Sequence, residues 1–120
     1  MSETYSIEVI DGYTKIDFFV KPEFSEAQAC IDDLALNYPY EKRIYNLGKA
    51  GITFTTDEII AIVVYGKSKL IRPSLVAFVA SDDLTFGLMR QLEVYRGDDD
   101  SGTQVMVFRT EQEAAHWINQ

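Results

Sequence analysis

With a single cysteine and a single histidine in 120 residues, the sequence excludes an internal disulfide and offers no ligand set for zinc or an iron-sulfur cluster. Cys30 falls within an amphipathic helical pattern, where a small buried thiol packs like any apolar side chain. No apolar run reaches the roughly 20 residues that span a bilayer, and the opening MSETYS has neither the basic end nor the apolar centre of a secretory signal, so the expected location is cytoplasmic, with no membrane span. Bases are scarce too, at 11 Lys and Arg against 19 Asp and Glu, for a formal charge of −8. That balance argues against a general affinity for nucleic acid or anionic membranes, both of which reward a basic face. No cofactor fingerprint is present; only carboxylate-held magnesium or calcium stays open.

What is present is a composition, 47% apolar and 25% charged, that suits one globular domain spanning residues 1–120 around a single core. The charge is unevenly spread. Between Lys42 and Arg72 six bases (Lys42, Arg43, Lys49, Lys67, Lys69, Arg72) stand against two acids (Asp57, Glu58), a local +4 that leaves −12 on the remainder. This is the only basic stretch in an acidic chain. It includes the segment Arg43 to Gly66, which reads as a strand feeding a glycine-punctuated loop that opens a helix.

Ile44, Tyr45 and Leu47 have the character of a short buried strand, and Gly48 and Gly51 supply turn points. Thr55 is followed three residues later by Glu58, the spacing of a capping box. The run Ile59 to Tyr65 is rich in β-branched residues, and periodicity cannot separate a buried strand from a buried helix there. Propensity favours a strand. The cap, with Thr55, Thr56, Asp57 and Glu58 placing oxygen acceptors and negative charge where a helix dipole stabilises them, predicts a helix.

Elsewhere, Tyr5 to Ile10 alternates, Asp11-Gly12 signals a tight hairpin, and Tyr13 to Val20 returns as a second strand. Ser25 opens a helix with apolar positions Ala27, Ile31, Leu34, Ala35 and Tyr38, ended by Pro39. Leu75 to Ala80 is apolar on both faces, as in a central strand. Ser81, Asp82 and Asp83 precede a helix with the stripe Leu84, Leu88, Leu92 and Tyr95. Gln104 to Phe108 forms the last strand, and Thr110-x-x-Glu113 caps a final short helix burying Ala114, Trp117 and Ile118. The order β-β-α-β-α-β-α-β-α predicts an α/β fold with a mixed, mainly parallel five-stranded sheet and helices packed on it.

This pattern resembles the STAS domains (sulfate transporter and anti-sigma factor antagonist), in particular their SpoIIAA-like branch of small stand-alone bacterial proteins. The similarity spans nearly the whole chain in order of elements and is carried most specifically by VFRTEQEAAHWI (Val107 to Ile118) and by Leu75 to Arg90, a strand running into a helix that contains FGLMR. The resemblance implies a regulatory or binding module without catalysis, whose partners are proteins. In the anti-sigma antagonists a serine at the start of the helix after the third strand is phosphorylated by a partner kinase, which switches binding off. Placing ITFTTDEI (Ile52 to Ile59) on that segment puts Asp57 or Glu58 where the serine would stand, so the phosphoacceptor is missing. Thr55 and Thr56 lie close by, but capping explains them.

Other chemical signals resolve to structural ones. His116 has no nucleophile held to it by any motif and reads as a surface histidine. Asp98 to Asp100 lacks the spacing and terminal glutamate of a calcium loop. Gly48-x-x-Gly51 beside Lys49 is too short for a phosphate-binding loop, and Asp57 and Glu58 would repel the phosphate.

Two functions remain. The first is a protein-interaction module, self-association as a homodimer included, whose contact surface is Lys49, Gly51, Phe54, Thr55, Thr56, Asp57, Glu58, Lys67 and Lys69. The second is a carrier of a small apolar ligand such as a lipid, held between sheet and helices and suggested by the aromatic and aliphatic residues from Phe54 to Tyr65 and by the general resemblance of such folds to lipid-carrying domains.

Overall fold

The computed structural model describes residues 4–10, 12–20, 22–48, 55–70, 74–97 and 103–120, with backbone alone for 95–97. Five strands and four helices follow one another in the expected order: β1 (Tyr5–Ile10), β2 (Tyr13–Phe18), α1 (Phe24–Asn37), β3 (Lys42–Asn46), α2 (Thr56–Lys69), β4 (Leu75–Val79), α3 (Asp83–Gly97), β5 (Gln104–Phe108) and α4 (Glu111–Ile118). The strands lie side by side in chain order. β1 and β2 are antiparallel, with Ile10 opposite Tyr13, and every later pair is parallel. That register leaves a two-residue turn between β1 and β2, in which Gly12 takes φ 90°, the left-handed region that glycine enters without a Cβ clash.

Each parallel step needs a crossover, and crossovers of one hand between strands laid down in one direction put their helices on one side. α1, α2 and α3 accordingly share a face. Their side chains Cys30, Leu34, Ile59, Val63, Met89 and Leu92 meet Ile16, Phe18, Leu47, Val76, Val105 and Val107 from the sheet. α4 covers the other face, where Ala114 and Ile118 pack on Tyr13, Ile44, Ala77 and Val79. β4 therefore points Val76 and Phe78 one way and Leu75, Ala77 and Val79 the other, which is why Leu75 to Ala80 is apolar throughout.

Four local details differ from the sequence reading. β2 ends at Phe18, and Phe19 and Val20 are exposed, because pairing with β3 ends at Asp17 opposite Asn46. α1 begins at Phe24 with Glu23 as its cap in place of Ser25; the Glu23 amide donates to Glu26 Oε1 at 2.9 Å. On α3 the inward stripe is Thr85, Met89 and Leu92, with Leu88 half-buried against the core; of the expected apolar row Leu84 is exposed, so the first turn buries Thr85 instead. The Thr85 amide donates to Asp82 Oδ2 at 2.9 Å, and Arg109 binds Asp83 at 2.8 Å, which together fix that first turn against the end of β5. Last, the basic stretch is not all surface: Arg43 is buried on the helix-covered side of β3, only 1% exposed.

Candidate functional site

The first candidate is the start of α2, which stands at the carboxyl end of β3. The capping box forms as its spacing requires. The Glu58 amide donates to Thr55 Oγ1 at 3.2 Å, and the Thr55 amide donates to Glu58 Oε1 at 2.9 Å. Thr55, Thr56 and Asp57 are exposed and Glu58 is half-buried. Thr55 and Glu58 are thereby committed to holding the helix, and Thr56 and Asp57 are the side chains this turn offers to solvent. Thr55→Ala is expected to lower stability by about 1 kcal/mol, with Thr55→Ser keeping most of it, as read from urea denaturation midpoints. Equal midpoints for the two variants would show that the hydroxyl carries no capping energy.

α2 answers the helix-or-strand question that its sequence left open, and shows why its apolar run is continuous. Ile59, Val63 and Gly66 are buried, but Ile60 and Val64, one turn apart on the outer side, are 39% and 61% exposed. The helix is apolar beyond the stripe that the core uses.

The predicted contact residues do not form one cluster. Lys67 and Lys69 sit in the last turn of α2, and Thr55 to Glu58 at its beginning. With 14 residues the helix is about 21 Å long at about 1.5 Å per residue. As a crossover helix it runs against the strands, which puts the lysines at the amino end of the sheet. Lys69 lies over the Tyr65 ring at 5.5 Å, and Tyr65 donates a hydrogen bond to Asp32 of α1, which raises the tyrosine pKa. Lys49, Gly51 and Phe54 lie outside the described residues.

At the carboxyl ends of the strands the structure assembles a polar network that the sequence did not announce. Asn46 Nδ2 donates to Glu111 Oε1 at 3.1 Å, and its Oδ1 accepts from the Gly48 amide at 3.1 Å. Lys15 binds Glu111 at 2.9 Å and Asp17 at 3.7 Å, and the Glu111 hydrogen bond is the main reason its pKa is raised. Arg109 reaches the Ser81 carbonyl at 3.2 Å and lies 4.0 Å over the Phe86 ring. Lys15, Asp17, Glu111, Arg109 and Asp83 are each ion-paired, so the network braces the elements it joins. His116 is exposed on α4. Among the described residues no group of three or more His, Cys, Asp or Glu side chains converges to hold a metal ion, and no helix is long and apolar enough to cross a membrane.

The second candidate is internal. Between the sheet and α1 to α3 lies a cavity of about 90 Å³, lined by apolar groups such as Ile31, Ile59, Val63, Phe78 and Met89. Arg43 is the one charged side chain among its described walls. Cys30 lines it too, and burial pushes that thiol up to about 12. The sequence held a signal for Arg43: in the strand RIYNL, alternation puts Arg43, Tyr45 and Leu47 on one side, and that side is apolar.

No protein-family model matches the sequence, and no curated protein matches it significantly. A solved structure does match in shape, that of the anti-sigma factor antagonist SpoIIAA in its unphosphorylated form, with a TM-score of 0.56 over 96% of this chain and 97% of that one at 14% identity. The chain has the SpoIIAA fold. The agreement covers the whole architecture, the opening hairpin, the parallel strands and the four helices alike, as the STAS resemblance implied. In this chain the network and the start of α2 lie toward the carboxyl ends of the strands, and the Arg43 cavity lies under the three helices.

Proposed function

We propose that the chain is a non-catalytic regulatory module that docks a protein partner along the outer side of α2 and the turn from which it grows. The observation that carries this is the exposed pair Ile60 and Val64 on a helix whose buried side is already complete. An apolar strip left exposed among the described residues is retained at a cost in solubility, and contact with another protein recovers that cost. The fold lends support, since a SpoIIAA structure with the same architecture is described as an anti-sigma factor antagonist. Thr56 and Asp57 at the head of the strip supply a polar rim, and Lys49, Gly51 and Phe54, outside the described residues, remain part of the proposed contact set. With Asp57 or Glu58 in place of a phosphoacceptor serine, binding is set by partner concentration and not by a kinase. In the test, Ile60→Glu/Val64→Glu keeps the thermal midpoint within about 2 °C of the parent and loses both the proteins captured by the parent and any self-association. An unchanged capture profile and unchanged oligomeric state would remove the proposal.

The cavity favours a second reading, a carrier of a small apolar ligand. The space is apolar and in contact with three helices, which is where a small ligand of a few carbons would be enclosed. Native mass spectrometry of gently purified protein tests it, and a bare chain mass in every charge state counts against it.

A further inference from the structure

We infer that Arg43 is the anchor for the carboxylate of a monocarboxylate with a short alkyl tail, whose tail occupies the cavity under α1 to α3. This rests on the carrier reading and specifies its ligand.

Arg43 is 1% exposed. A guanidinium stays protonated under any condition in which the protein is folded, so its burial carries a heavy desolvation cost unless a counter-charge is supplied. None is supplied by the described residues. Nη1 donates to the Tyr40 carbonyl at 3.0 Å and Nη2 to Ser74 Oγ at 3.1 Å, both neutral acceptors, and Nε has no partner. Thr14, opposite Arg43 in the β2–β3 register, is fully buried and its hydroxyl also lacks a partner. Of the three buried side-chain polar atoms without partners among the described residues, two thus belong to side-by-side residues of the sheet. Chance packing faults would not be expected to fall on register neighbours, one of them a cation.

Arg43 also lies where two spaces meet. The apolar cavity and a second hollow of about 180 Å³ at the amino end of the sheet share Arg43 and Leu70 as wall residues. The second hollow is bounded by Tyr38, Pro39 and Lys69, and is the more polar side. An amphiphile fits this order: a tail among Ile31, Val63 and Met89, a headgroup at Arg43, and the Lys69 ammonium at the rim to draw the anion in. The charge count selects a carboxylate. The unpaired Nε and a remaining N–H on a terminal nitrogen make one edge that takes two oxygens of a single negative charge, whereas a phosphate would bring a further charge to a cavity whose one charged side chain among the described walls is Arg43.

The test uses the whole protein, stripped of passengers by unfolding and refolding, and calorimetric titration with butanoate and pentanoate against butanol and pentanol, whose tails match a cavity of about 90 Å³. The acids are expected to bind roughly tenfold or more tighter than the alcohols of equal length, the order expected of a charge-assisted hydrogen bond pair. Arg43→Gln should remove that preference and leave alcohol binding in place, and Lys69→Gln should slow acid association at low salt. Bound acid should also slow the reaction of Cys30 with a thiol reagent, since the thiol lines the same space. Acids and alcohols binding alike would overturn the anchor and leave the carrier. Binding of neither would overturn both. Acid binding that leaves Cys30 reactivity unchanged would place the ligand elsewhere and overturn the assignment. Should Arg43→Gln fail to fold, the acid-to-alcohol ratio of the parent, the Lys69→Gln rate and the Cys30 rate decide the matter.

Discussion

Ile59→Ala is expected to lower the free energy of unfolding by about 2–5 kcal/mol, and Ile60→Ala, the next residue, by about 0.5 kcal/mol or less. The two changes delete the same atoms from the same helix. Ile59 is fully buried and faces the sheet, so its loss forfeits transfer free energy and leaves a void; Ile60 is 39% exposed and its outer atoms are in water already. Because Ile59 also lines the internal cavity, its surroundings can collapse only in part, and the added void joins existing space. Urea denaturation of both variants measures the contrast directly. If Ile60→Ala costs as much as Ile59→Ala, the outer side of α2 is packed against something within the chain, and the proposed docking strip is lost with it.

The second large effect is on alkaline stability. Burial pushes the Cys30 thiol from 9.0 up to about 12, with Asp33 nearby acting in the same direction. The native state therefore holds this proton more tightly than the unfolded chain does. Its contribution is fully present below pH 9 and is lost as pH rises through about 12. At about 1.4 kcal/mol per pH unit that loss reaches roughly 4 kcal/mol. Tyr5, on the same side of the sheet, is likewise pushed up to about 12, chiefly by burial, and adds to the trend. Denaturant midpoints taken from pH 7 to pH 11 should fall steeply for the parent and less steeply for Cys30→Ala, whatever the mutant's offset at neutral pH. Parallel curves would show that the thiol does not titrate with unfolding.

Much of this fold was legible in the chain. Thr55 and Glu58 located the start of α2 to the residue, because a capping box is a local contract between side chains three apart. Thr110 did the same for α4, where the Glu113 amide donates to its hydroxyl at 3.2 Å. The apolar double face of β4 announced cover on both sides. On α3 the expected row held at Leu88 and Leu92 but not at Leu84, because a threonine does not advertise burial and Thr85 takes the inward place in the first turn. Only the Asp82 cap and the Arg109 contact, made across the fold, choose between them.

The candidate sites were harder to read. The basic stretch looked continuous because Lys42 to Arg72 is continuous in sequence, but a crossover helix carries its two ends to opposite edges of the sheet, and the strand pleat turns Arg43 inward. A charged residue in a strand is usually taken as exposed, and burial of Arg43 depends on three helices covering it, which no local pattern encodes. The Lys15, Asn46 and Glu111 cluster joins residues as far as 96 positions apart, brought together by sheet order alone.

That sheet order bears on how the chain is made. Because β1 to β5 lie in the sequence in which they are synthesised, each new strand finds its neighbour already emerged from the ribosome, and the sheet can grow one strand at a time without waiting for a distant partner. The three crossover helices come with their strands and close one side as growth proceeds. The opposite side has no such provision: Ile44, Ala77 and Val79 are covered by α4, which is translated after all five strands. Until then a growing apolar surface faces solvent or a chaperone, and the eight residues of α4 act as the late fastening that ends its exposure.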